Sequence, residues 1–65
     1  MGYYYEASIN GKIEDFGKKC NSICYSDPKY LLFYEETQNE KEDKCLIILG
    51  MFRHEQVEWV KKREK

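Results

Sequence analysis

Three cysteines and a single histidine are the residues of this sequence with the most distinctive chemistry. Cys20 and Cys24 are spaced to set two thiols on one helix face. Cys45 and His54 follow later in the chain. Together Cys20, Cys24, Cys45 and His54 make a Cys3His set, the right ligand types and number for a closed zinc site. A small domain with a thin core would gain folding energy from one. Yet the spacing before His54 matches no familiar zinc finger, and a buried free cysteine is also simply a small hydrophobe. The expectation is no resident metal and no cofactor, with a zinc-stabilised domain as an alternative.

A Cys–His nucleophile pair would need adjacency in space and a lowered thiol pKa. The sequence signals neither. The carboxylates cluster in Glu35-Glu36 and Glu40-Lys41-Glu42-Asp43, a polar stretch where water keeps acids ordinary. Gly2, Gly11, Gly17 and Gly50 are isolated and form no phosphate-cradling loop. No enzyme is expected.

The chain carries 11 Lys and Arg against 12 Asp and Glu, a net charge of −1. This balance argues against nucleic acid, whose binding rests on clustered cations. Tyr4, Tyr30 and Tyr34 could still stack bases on an open sheet, with Lys29 and the Lys61-Lys62-Arg63-Lys65 cluster supplying charge. Single-stranded nucleic-acid binding is a further alternative, weakened by acidic residues flanking the strands. The longest apolar run, Cys45 to Phe52, is far short of the ~20 residues that cross a bilayer, so no membrane partner is expected. No secretory leader is recognisable, and Glu6 stands where a myristoylation motif needs Ser or Thr. An odd number of cysteines then fits reduced thiols in a cytoplasm.

The elements that would position these residues can be read from periodicity. At 65 residues the chain has room for one domain, residues 1–65. Residues 3–9 alternate as a strand, with Tyr3, Tyr5, Ala7 and Ile9 on one face. Ile13, Phe16, Cys20, Ile23 and Cys24 recur at helical spacing, which predicts a helix from Lys12 to Tyr25 with Asn10 as N-cap. Gly17 is expected where that helix crosses the sheet. Asn10-Gly11 is also a hairpin signal, so a hairpin over residues 3–16 is the alternative. Ser26-Asp27-Pro28 ends the segment. Residues 29–36 and 44–52 read as two strands of an antiparallel hairpin, the second apolar on both faces like a central strand. The tail from Arg53 to Lys65 has early Glu and late Lys and Arg, with Glu58 and Lys62 four apart, which predicts a second helix. Gln56 to Val60 could instead extend the sheet, with Val57 and Trp59 sharing a face.

The resulting order is β-α-β-β-α. The expected class is α+β: a three-stranded, mainly antiparallel sheet with two helices on one face. This architecture looks like a ferredoxin-like βαββαβ unit lacking its last strand, a likeness that implies no activity.

Two helices cover only one face of such a sheet, expected to be lined by Ala7, Ile9, Leu31 and Phe33. The other face would show Tyr4, Tyr30, Leu32 and Tyr34. It would also take half of the third strand, either Cys45, Ile47, Leu49 and Met51 or Leu46, Ile48 and Phe52. A contiguous apolar patch of that kind exceeds what monomers usually expose. The expected function is therefore a small cytoplasmic protein–protein interaction module that regulates or inhibits a larger protein, or one that pairs with its own copy as a homodimer. An edge strand could also be added to a partner's sheet. The candidate partner-face residues are Tyr4, Tyr30, Leu32, Tyr34 and Trp59. Chains this short that act by occupancy fit phage or accessory-gene products.

Overall fold

Asn10 and Gly11 both take positive φ, 50° and 80°. That is the type I′ geometry whose twist matches a two-residue hairpin, and Asn-Gly is the pair that supplies it most readily. The computed structural model, which describes residues 2–65, accordingly pairs β1 (Tyr3–Ile9) with β2 (Lys12–Glu14), Ile9 opposite Lys12. The chain then runs through β3 (Ser22–Cys24), β4 (Tyr30–Gln38), β5 (Lys44–Arg53) and β6 (Val57–Glu64). Two sheets result, ordered β2-β1-β6 and β3-β4-β5, and every strand pair is antiparallel.

The α+β expectation is overturned. No α-helix occurs among the described residues, only 3-10 turns at Phe16–Lys18 and His54–Gln56. The helix expected from Lys12 to Tyr25 is instead a hairpin arm, a turn and a short strand. Left-handed backbone at Phe16, Gly17 and Lys18 (φ 53°, 64° and 62°) is incompatible with a right-handed helix. Gly17 therefore serves a turn, not a helix–sheet crossing. Ile13 is mostly exposed and Cys24 half-buried, while Cys20 is fully buried. The helical spacing of the five residues was thus coincidental.

The tail is also a strand. β1 is the central strand of its sheet, and β6 satisfies its second edge from Tyr3 opposite Glu64 to Ile9 opposite Val57. Its charges are spent across the ladder: Arg63 Nη2 lies 3.1 Å from Glu6 Oε1, and Lys62 Nζ sits 4.0 Å from the Tyr3 ring centroid. The dipole-like ordering of Glu and Lys had no helix to serve. The extended reading was nearer, but Val57 and Trp59 do not share a face. A bulge places Glu58 between them, since Ser8 pairs with Trp59 and Ile9 with Val57.

The core lies between the two sheets. Ala7 and Ile9 from one and Leu31 and Phe33 from the other are buried with Cys20. These are the residues that alternation assigns to the covered face, but a second sheet covers them in place of helices. Phe16 stacks on Phe33 at 4.7 Å between ring centroids, and Phe52 approaches both rings. The shortest extent of the backbone is 14 Å, close to two layers and little more.

Candidate functional site: the uncovered face of the second sheet

Alternation along β4 sends Leu31 and Phe33 inward and Tyr30, Leu32 and Tyr34 outward. β5 would follow the same parity were it not for a bulge. Phe33 pairs with Gly50 but Tyr34 with Ile48, so Leu49 is the extra residue. Gly50 and Phe52 therefore face inward. Leu46 and Ile48, before the bulge, and Met51, after it, face outward beside the three β4 residues. Neither regular half of this strand that alternation allows is the one presented; the bulge mixes them.

The outer face of the β3–β4–β5 sheet is thus an apolar surface of Tyr30, Leu32, Tyr34, Leu46, Ile48 and Met51. Leu46, Ile48 and Met51 are 60%, 58% and 57% exposed. Tyr30, Leu32 and Tyr34 are half-buried, flanked by neighbouring strands. Among the described residues nothing lies over this face. Cys24, opposite Leu32, adds a thiol to it. Its Sγ lies 2.9 Å from Ser26 Oγ, and that hydroxyl holds the thiol pKa below its ordinary value.

The five candidate residues divide. Tyr30, Leu32 and Tyr34 come together. Tyr4 and Trp59 lie on the outer face of the other sheet, across from Arg63 and Ser8 respectively, on the opposite side of the molecule. Lys61 Nζ stands 4.8 Å from the Trp59 ring centroid. Sequence reasoning missed Leu46, Ile48 and Met51 as one set because the bulge has no signature beyond Gly50 itself.

The structure does not gather the metal candidates. Cys20 is in the core, where burial pushes its thiol pKa up and its Sγ donates to the Ser22 carbonyl at 3.3 Å. Cys24 is on the outer face. Cys45 is the second residue of β5 and His54 follows its end, so nine steps of extended chain set them roughly 30 Å apart. His54 Nε2 lies 2.9 Å from the Asp27 carbonyl, which makes that nitrogen the protonated donor. No group of three or more His, Cys, Asp or Glu positioned for a metal occurs among the described residues.

One shallow depression, about 420 Å³, adjoins the face at Pro28, Lys29, Tyr30, Arg53, His54 and Glu55. It lies about 30 Å from Cys45 along the strand. The aromatic and basic residues suited to nucleic acid are split as well. Tyr4 lies near Arg63 and Lys61, but Glu6 sits in the same patch and holds Arg63. No helix of the described residues is long and apolar enough to cross a membrane. Comparison with family models, curated proteins and solved structures finds no match for this chain.

Proposed function

We propose that this chain is a small protein–protein interaction module that acts by occupying a surface on a larger protein, as a regulator or inhibitor, without chemistry of its own. One observation carries the reading: six apolar side chains, contributed by β4 and β5, form an uncovered outer face. Tyr and Met are favoured in interface cores, and apolar area removed from water drives association. The face sits on a sheet rather than a loop, so it is presented with little conformational entropy to lose on docking.

The test compares capture between variants. Tyr30→Ser with Tyr34→Ser alters the proposed face, whereas Tyr4→Ser alters the opposite one. A protein captured from the native lysate by the wild-type chain is expected to be lost with the first variant and kept with the second. Circular dichroism checks that both variants fold. Retention by the Tyr30→Ser, Tyr34→Ser variant, or loss with Tyr4→Ser alone, overturns the assignment.

A further inference from the structure

An asparagine carboxamide carbon lies one five-membered ring away from the next backbone nitrogen. Closure of that ring is hindered by the side chain of the following residue, and glycine has none. The sequence holds three asparagines, and they differ in what restrains them. Asn21 precedes Ser22, and its carboxamide is tied at both ends to the Glu36 backbone. Its Nδ2 donates to the carbonyl at 2.9 Å and its Oδ1 accepts from the amide at 2.8 Å. Asn39 precedes Glu40, and its Oδ1 accepts from the Lys41 and Asp43 amides at 2.9 and 3.0 Å. Asn10 precedes Gly11 and is exposed, and among the described residues no hydrogen bond holds its side chain. A Cβ placed on Gly11 would meet nothing within 4 Å, so the space around the neighbouring nitrogen is open.

The restraint on this turn comes through its backbone. The Gly11 amide donates to Glu58 Oε1 at 2.7 Å, and the Asn10 amide donates to the Gln56 carbonyl at 2.9 Å. Ser8 Oγ donates to the same Glu58 oxygen at 2.9 Å and fixes it in place. Ring closure requires the Gly11 nitrogen to give up its proton and to swing toward Asn10 Cγ. The carboxylate opposes the first, because a negative charge beside the N–H disfavours a second one on the nitrogen. It opposes the second, because the turn must break a hydrogen bond to a charged acceptor before it can rotate.

We propose that Asn10 is a site of spontaneous deamidation and isomerisation, and that Glu58 sets its rate by holding the Gly11 nitrogen. The Gly11 nitrogen bonds to Asn10 Cγ, the Cγ–Nδ2 bond breaks, and ammonia leaves with the proton that Gly11 gave up. Solvent water then adds to one carbonyl of the succinimide ring and breaks its bond to nitrogen. Opening at Cγ leaves an aspartate; opening at the Asn10 backbone carbonyl leaves an isoaspartate, with the chain running through the former side chain. No electrons are gained or lost. Either product puts a new carboxylate on the turn that Glu58 binds, where like charges repel. The isoaspartate also adds a carbon to the backbone of a two-residue turn whose geometry pairs β1 with β2. The modification thus loosens the joint between the first hairpin and the last strand. It lies in the β2-β1-β6 sheet, away from the docking face, so it goes beyond the docking reading and is tested apart from it.

The folded chain is held at mildly alkaline pH, sampled over time, digested and read by mass spectrometry, with aspartyl and isoaspartyl peptides separated by chromatography. Asn10 is expected to convert first, mainly to isoaspartate, while Asn21 and Asn39 persist. Glu58→Ala is expected to speed the loss of Asn10 by about tenfold, the scale of one hydrogen bond to a charged group, and to leave Asn21 unchanged. Glu58→Gln, which keeps an acceptor but removes the charge, is expected to fall between the two. Asn21 serves as the internal gauge of folding, since its restraint belongs to the other sheet. A wild-type Asn10 that lasts as long as Asn21 and Asn39 overturns the proposal. So does a Glu58→Ala rate at Asn10 that is unchanged or slower, or one that rises equally at Asn10 and Asn21.

Discussion

Glu58 shows how much a single residue can tie together. It is the extra residue of the β6 bulge, and its carboxylate accepts from Ser8 Oγ at 2.9 Å and from the Gly11 amide at 2.7 Å. It thus fastens the Asn10-Gly11 turn to the last strand, 47 residues away in the chain. Those hydrogen bonds, that of Gly11 first, hold its pKa below the ordinary carboxylate value. A depressed folded pKa stabilises above the unfolded-state pKa, and that contribution fades as pH falls through the folded value. Glu58→Gln is therefore expected to lower stability at neutral pH and to flatten the acid limb, measured by urea unfolding at a series of pH values. Parallel wild-type and variant curves would remove this role. In the sequence Glu58 read as half of a helical ion pair with Lys62, because local spacing cannot show a partner on another strand. The cysteines were more legible: core packing was one of their sequence readings, and Cys20 takes it.

At the scale of elements, strands β1, β4 and β5 were legible because their alternation and aromatic content are local signals. The segments read as helices failed for a shared reason. Each takes its conformation from pairing with another strand, which helical spacing of residue types does not report, and for β6 that strand is the other end of the chain. β2 and β6 pair with β1, and β3 with β4. Both bulges were invisible, and each one reverses the faces that follow it. Gly50 marks the second. It lies on the inner side, where an added Cβ would stand 2.7 Å from Phe52 Cε2 and 3.0 Å from Phe16 Cε1. Gly50→Ala must displace rings packed against Phe33, and a loss of about 1–3 kcal/mol is expected from overpacking. Thermal unfolding measures it; an unchanged midpoint would mean that the aromatic cluster yields freely.

The whole molecule rests on a small core between two thin layers. Among the described residues five hydrophobic side chains are buried, and Phe33 is the largest of them. A domain of this size rarely has more than ~3–5 kcal/mol of stability without a staple or partner. Phe33→Ala is expected to cost about 3–5 kcal/mol, the usual range for a buried phenylalanine. The variant should then be largely unfolded at 25 °C by circular dichroism and one-dimensional NMR. A cooperative transition close to the wild-type midpoint would show that stability comes from elsewhere.

The sequence by itself determined the alternation of β1 and β4, the Asn-Gly turn and the surplus of apolar residues over what one small layer can cover. These depend on side-chain chemistry and neighbours a few residues apart. Tertiary structure decided that a second sheet, not helices, closes the core. It also decided that Tyr4 and Trp59 stand apart from Tyr30, Leu32 and Tyr34, and that the most apolar strand lies at an edge. Those outcomes follow from hydrogen-bond pairing between distant strands and from the bulges in the ladders, and a linear pattern of residue types encodes neither.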